Sequence, residues 1–251
     1  MTTPWKQTII IDEKIAALAI ENVCTLLVHD IQLINSGWDN VVFAVNQDLI
    51  FRFPRREFGL ICMENEITLL PYIKKHLSFL ISAPQWIGRP SDVYPYYFSG
   101  YKRINGQSVC EAFQKPIEDI QFAKTLAGFI KELHQVAIDP NLIVKGEYDW
   151  KLDVSHRLKA LHYLEQYPDY FAQTGLTWGQ LLEAANKISG FKFSSLTRCY
   201  VHGDLYSRHV MVENNKPIGL IDFGDIHIGH PGVDFAITFI LSNDAINAFL
   251  K

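Results

Sequence analysis

The sequence predicts an α+β chain with an antiparallel sheet in its first part and mainly helices in its second. Three observations carry this. Short apolar runs at 26–34, 41–45 and 49–53 are separated by polar turns, as in a meander of strands. Residues 118–134 place Phe122, Leu126, Phe129, Ile130 and Leu133 on one helical stripe. Near the end, two apolar runs at 209–212 and 218–221 flank Asn214, Asn215, Lys216 and Pro217, the signature of a β-hairpin.

In chain order, residues 12–23 set Ile15, Leu18, Ala19 and Asn22 at helical spacing, with Asp12 as N-cap. Between the first two strands lies Asn35-Ser36-Gly37-Trp38-Asp39-Asn40. Backbone N–H groups of such a turn can cradle an anion, although a turn with one glycine is more often an ordinary hairpin. In the third strand, alternation sets Phe51 and Phe53 on one face and Arg52 on the other, while Arg55 and Arg56 read as a solvated basic edge. Residues 57–77 form a long amphipathic helix, with Leu60, Met63, Ile67, Leu70 and Ile73 inward and Pro71 kinking or shortening it. Glu64 and Glu66 are its candidates to pair with Arg52.

Prolines 84, 90 and 95 interrupt the next stretch, leaving short strands at 85–87 and 96–101. The segment FSGYKRING reads as a linker, which gives an N-terminal region 1–98, a hinge 99–106 and a C-terminal region 107–251. In the last region His134 closes its helix as a structural residue, favourable to the dipole. Further helices are predicted over 147–170 and 177–189, with Glu147, Asp149 and Asp153 on a solvated face. Asp234 precedes an apolar helix and reads as an N-cap or loop anchor.

At 251 residues and 48% hydrophobic, the chain can bury a sizeable core as one large domain or two small ones. A net charge of −4 and a pI near 6.1 lack the basic footprint of a nucleic-acid binder. Cys24, Cys62, Cys110 and Cys199 are far apart and form no C-x-x-C, which suits free thiols in a reducing cytoplasm. No apolar run reaches the roughly 18 residues of a membrane span. The expectation is a cytoplasmic protein without a membrane or nucleic-acid partner, a monomer or weak dimer.

The chemistry concentrates at Asp204, His209 and Asp222, which the hairpin delivers to one end. Phosphoryl transfer needs such a cluster. One carboxylate orients and deprotonates the attacking hydroxyl, and another holds Mg²⁺ against nucleotide phosphates. A zinc site of His209, His227 and His230 has no supporting ligand spacing.

HGDLYSRH at 202–209, followed by IDFGD at 221–225, resembles the catalytic and metal-binding loops of the aminoglycoside phosphotransferase superfamily, relatives of the protein kinases. The His-x-Asp spacing and the Asp-Phe-Gly are intact, and His209 stands where kinases carry Asn. In that respect the chain is similar to aminoglycoside 2''-phosphotransferases and macrolide 2'-phosphotransferases. The resemblance implies a bilobal protein-kinase-like fold, with an antiparallel-sheet nucleotide-binding lobe and a mainly helical catalytic and acceptor-binding lobe.

It also implies roles. Asp204 is the catalytic carboxylate, with His202 bracing its loop, and Asp222 and His209 hold Mg²⁺, with Asp225 beside them. Arg52 replaces the usual phosphate-binding Lys, and Glu66, just before an apolar pair, is its partner. Ser36 and Gly37 lie over the phosphates, and the linker at Tyr101 meets the nucleobase through its backbone. ATP and GTP both remain open as donor. The implied activity is transfer of a γ-phosphate to a small-molecule hydroxyl, first that of an aminoglycoside-type antibiotic. A kinase of another metabolite or of a macrolide, and a catalytically impaired nucleotide-binding pseudokinase, are the alternatives. Relatives add helices that complete the acceptor site beyond the point where 236–250 closes this sequence.

Overall fold

The structure, a computed structural model, describes residues 9–146, 158, 159, 161, 162, 177–189 and 198–251. The chain divides into two compact units, Met1–Gly146 with Cys199–Lys251, and Glu147–Arg198.

The first unit opens with α1 (Glu13–Cys24), capped by Asp12, whose carboxylate accepts the Ile15 N–H at 2.8 Å. Strands β1 (Ile31–Ser36), β2 (Asn40–Val45) and β3 (Leu49–Pro54) follow as a meander. The first strand starts later than its apolar pattern suggests. The Asn46 side chain accepts the His29 and Asp30 N–H groups and donates to the Leu27 carbonyl, so those backbone groups are satisfied in a loop. With β5 (Trp86–Gly88) and β6 (Phe98–Lys102), these strands form an antiparallel sheet in the order β1-β2-β3-β6-β5. Residues 99–102 of the predicted hinge thus belong to a strand, and only 103–106 connect.

Behind this sheet, Ala16, Ala19 and Ile20 of α1 pack with Phe43, Phe51 and Phe53 in one apolar cluster. Phe53 and Phe98 stack at 4.4 Å, and the buried Tyr94 hydroxyl donates to the Pro54 carbonyl. Helix α2 (Glu57–Ile73) runs on as a 3₁₀ turn at Lys74–His76, with Pro71 inside the helix's last turn. Its buried face differs from the predicted stripe. Ile67 is only partly buried, whereas Asn65 and Glu66 are fully buried.

A second sheet, in the order β4-β10-β9-β7, joins β4 (Leu80–Ile81) from before the hinge to β7 (Gln107–Ser108), β9 (Val210–Glu213) and β10 (Lys216–Leu220) from after it. A two-stranded sheet pairs β8 (Cys199–Val201) with β11 (His227–Gly229). Helices α3 (Val109–Ala112) and α4 (Ile120–Gln135) lie between, and α4 buries the predicted Phe122, Leu126, Phe129, Ile130 and Leu133. They join Tyr200, Val210, Leu220 and Phe223 in a second apolar cluster. The predicted apolar helix at the end is instead a 3₁₀ stretch, Pro231–Ile240, and a short helix at Asn243–Phe249.

In the second unit, the helix Trp178–Ser189 matches its prediction, and residues 158, 159, 161 and 162 are helical. Most of the helix predicted over 147–170, with Glu147, Asp149 and Asp153, lies outside the described residues. Among the described residues, no helix is long and apolar enough to cross a membrane.

Candidate active site

The site is assembled around the hairpin of β9 and β10. The turn consists of Asn214 and Asn215 alone, both left-handed with φ of 50° and 59°, the backbone of a two-residue primed turn. Lys216 and Pro217 belong to the strand instead. Pairing continues beyond the strands, where the Ile221 N–H donates to the His209 carbonyl at 2.9 Å. His209 and Asp222 therefore leave the hairpin side by side. Asp222 has φ of 62°, a left-handed conformation that costs a non-glycine residue roughly 1–3 kcal/mol and clusters at functional sites.

The tautomer of His209 follows from its partners. Nδ1 donates to the Asp204 carbonyl at 2.8 Å, and Nε2 lies 3.3 Å from Asp222 Oδ2, to which it donates when the ring is protonated. Burial alone would lower the His209 pKa, but the hydrogen bond and charge of Asp222 outweigh it and raise the value. Burial works against the Asp222 carboxylate too. Arg52 first, then His209, nevertheless hold its carboxyl well below the usual range.

Arg52 comes from β3, almost fully buried, and forks between two acids. One nitrogen donates to both oxygens of Glu66 at 2.7 Å, the other to Asp222 Oδ1 at 2.5 Å. Glu66, and not Glu64, is thus the partner in α2, since Glu64 pairs with Lys145 at 2.7 Å. Glu66 is fully buried, and burial pushes its carboxyl up to about 7 against the pull of Arg52.

The catalytic-loop motif is fixed from below. Asp234 accepts the N–H groups of His202 and Gly203, both at 2.9 Å, and His134 Nε2 at 2.9 Å. Gly203 has φ of 85°, and a Cβ there would lie 2.2 Å from the Asp225 carbonyl oxygen, so only glycine fits. His202 is buried, and burial lowers its pKa. It donates from Nε2 to the Ile221 carbonyl at 2.9 Å, accepts the Asp204 N–H at Nδ1 and lies 4.5 Å from the Phe223 ring. It braces the two loops against each other.

These parts open on one cleft of about 380 Å³, lined among others by Gly37, Arg52, Asp204, Arg208, His209 and Asp222. Two predicted site residues stand apart. Ser36 faces a neighbouring shallow pocket, and its hydroxyl accepts from Arg55 at 2.8 Å. Tyr101 is buried in β6 and does not line the cleft. The basic edge also needs correction. Arg55 donates to Ser36 and to the Gly37 carbonyl, and Arg56 is buried against Asp39 at 2.5 Å, so both hold the glycine turn. Sequence reading missed this because alternation gives the side of a strand but not the loop it meets. Arg208 was missed too, although its place between Asp204 and His209 in the motif was a signal. Among the described residues, no group of three or more His, Cys, Asp or Glu is arranged to hold a metal ion.

The phosphotransferase enzyme family profile matches residues 30–250. The structure is similar to the GDP and kanamycin complex of APH(2")-IIia, with a TM-score of 0.76, 22% identity, 94% of this chain covered and 81% of that one. It is also similar to APH(2")-IIa in its streptomycin–ATP ternary complex, with a TM-score of 0.64, 23% identity and coverage of 97% and 83%. The macrolide 2'-phosphotransferase type I superposes with a TM-score of 0.61 at 17% identity, covering 98% and 82%. These likenesses show the kinase-like α+β fold predicted from the motifs. With the family profile spanning both the glycine turn and the hairpin loops, the chain belongs to the phosphotransferase enzyme family.

Proposed function

We propose that this chain transfers the γ-phosphoryl group of ATP or GTP to a hydroxyl of a small molecule, with Mg²⁺ as cofactor and an aminoglycoside-type antibiotic as acceptor. The observation that carries the proposal is the shared cleft: Asp204 lines it together with Asp222, itself held between Arg52 and His209.

Asp204 is exposed in the cleft and accepts a hydrogen bond from the acceptor hydroxyl, orienting it in line with the phosphoryl group and taking its proton. Asp222 through Oδ2 and His209 through Nε2 would hold the metal. Asp222 supplies the oxygen that hard Mg²⁺ prefers, while His209, the weaker ligand, would bind directly or hold a metal-bound water, with phosphate oxygens and water completing the sphere. When bound, Mg²⁺ neutralises charge on the β- and γ-phosphates. Glu66 keeps Arg52 in place while its second nitrogen, now on Asp222, is placed to reach phosphate oxygens. The Ser36–Gly37 turn, pinned by Arg55, closes the phosphate end. Because His209 must be neutral to ligate, activity falls on acidification.

One observation favours a second acceptor class. A groove of about 310 Å³ lies beside the loop at Ser207, lined by Val109, Phe113, Ile117 and Phe239 together with Gln114 and Lys115, and with no carboxylate among the described residues. Such a lining suits a macrolide or another weakly charged alcohol better than a polycation.

The test is incubation with Mg²⁺ and ATP or GTP against aminoglycosides, macrolides and metabolite alcohols, with phosphorylated products read by mass spectrometry. A phosphorylated acceptor supports the reading. A protein that binds neither nucleotide and yields no phosphorylated product would overturn it.

A further inference from the structure

The charges that line the cleft are unevenly matched. Four carboxylates, Asp39, Asp204, Asp222 and Asp225, face two cations, Arg52 and Arg208. Asp39 is taken by Arg56, and both donating nitrogens of Arg52 are committed to Glu66 and Asp222. Arg208 is exposed, and among the described residues no carboxylate forms an ion pair with it.

Its position in the chain is specific. Arg208 sits in the 3₁₀ turn Ser207–His209, between the Asp204 loop and His209. That turn is anchored at both ends. The His209 N–H donates to the Tyr206 carbonyl at 2.9 Å, and His209 Nδ1 donates to the Asp204 carbonyl at 2.8 Å. The Tyr206 ring lies 4.2 Å from that of His209. The backbone carrying Arg208 is therefore fixed while its side chain reaches into the cleft. Arg52, by contrast, enters on β3 from the side of the glycine turn. The two cations thus reach the cleft from different elements, Arg208 from the turn that follows Asp204.

We infer that Arg208 is a further catalytic residue, the cation that meets the oxygens of the γ-phosphoryl group. This rests on the phosphotransfer reading above. In the step it serves, the acceptor oxygen bonds to phosphorus as the bond to the β-phosphate bridging oxygen breaks. The hydroxyl proton passes to Asp204, and the leaving nucleoside diphosphate keeps the electron pair. Charge spreads over the three equatorial oxygens, and a planar guanidinium with forked donors matches two of them. Arg52 serves the phosphates from β3, and Arg208 is the lining cation carried on the turn that follows Asp204.

The test is calorimetric binding of ADP and of the non-hydrolysable β,γ-imido-ATP, each with Mg²⁺, to wild type, Arg208→Ala and Arg208→Lys, with the guanosine pair in parallel. Arg208→Ala is expected to weaken the imido-triphosphate about 10- to 100-fold, the range of one charge-assisted contact, while the diphosphate changes less than about twofold. Arg208→Lys should fall between, since it restores charge without the fork. Hydrolysis of the triphosphate should drop in the same order. Equal weakening of both nucleotides, or no change in either, would overturn the inference while leaving the nucleotide reading intact. A wild-type protein that binds none of the four nucleotides would overturn both.

Discussion

Two buried carboxylates, Glu66 above the cleft and Asp234 below it, are held in opposite ways. Both are fully buried. Asp234 is surrounded by fixed donors, two backbone N–H groups and one imidazole, and its carboxyl is lowered although burial alone would raise it. Glu66 has a single long side chain as partner, one that it shares with Asp222, and its carboxyl is pushed up to about 7 by burial. The difference shows how each end of the site is built. Donors in the backbone of the catalytic loop make a rigid anchor that sets where Asp204 stands. A shared guanidinium makes a clamp with one nitrogen on Glu66 and the other on Asp222, and in the proposed function the second arm exchanges Asp222 for phosphate.

The comparison breaks most severely at Asp234. Asp234→Ala strips the acceptor from two buried N–H groups and from His134, and should cost about 4 kcal/mol of stability, read from denaturant midpoints. If it costs under about 1 kcal/mol, the anchor account fails.

Next come the amide replacements, read as stability against pH. A lowered carboxyl such as Asp234 contributes stability above the unfolded value near 3.9 and loses it as pH falls through the lower native value. A raised one such as Glu66 contributes fully below about 4.3 and loses that contribution as pH rises towards 7. Asp234→Asn should therefore blunt acid unfolding, at a cost of about 2 kcal/mol at neutral pH. Glu66→Gln should flatten the decline between about pH 5 and 7 and cost under about 1 kcal/mol at pH 7. Identical profiles for the two variants would erase the distinction.

At His134 the expected effect is on stability alone. His134→Ala removes one of three donors to Asp234 and leaves the backbone donors in place, so about 1.5 kcal/mol should be lost. Turnover at permissive temperature should stay near wild type, because His134 touches the anchor and not the cleft.

The sequence made the frame legible where one local rule governs. Strands β2 and β3, helix α4 and the hairpin follow from apolar period and turn residues, and the His-x-Asp and Asp-Phe-Gly motifs stand on the loops expected of them. What stayed hidden depends on partners distant in sequence. Asn46 turns the start of the first predicted strand into a loop. Asp39 and Ser36 draw Arg56 and Arg55 away from solvent. The burial of Glu66 on α2 breaks the helical stripe, because its cation is supplied by β3, and a stripe scored on apolar residues alone has no place for a buried ion pair. Arg208 lay within the motif, but its direction is set by the 3₁₀ turn that His209 anchors.

The central claim is that Asp204 acts on the acceptor and Asp222 on the metal–nucleotide complex within one cleft. Its most direct measurement is nucleotide affinity, with and without Mg²⁺, alongside turnover, for Asp204→Asn and Asp222→Asn. Asp204→Asn should keep Mg²⁺-dependent binding within about twofold while turnover falls by at least about 100-fold, and Asp222→Asn should lose the Mg²⁺-dependent part of binding itself. Turnover that survives in either variant, or two variants indistinguishable in metal-dependent binding, would contradict the account.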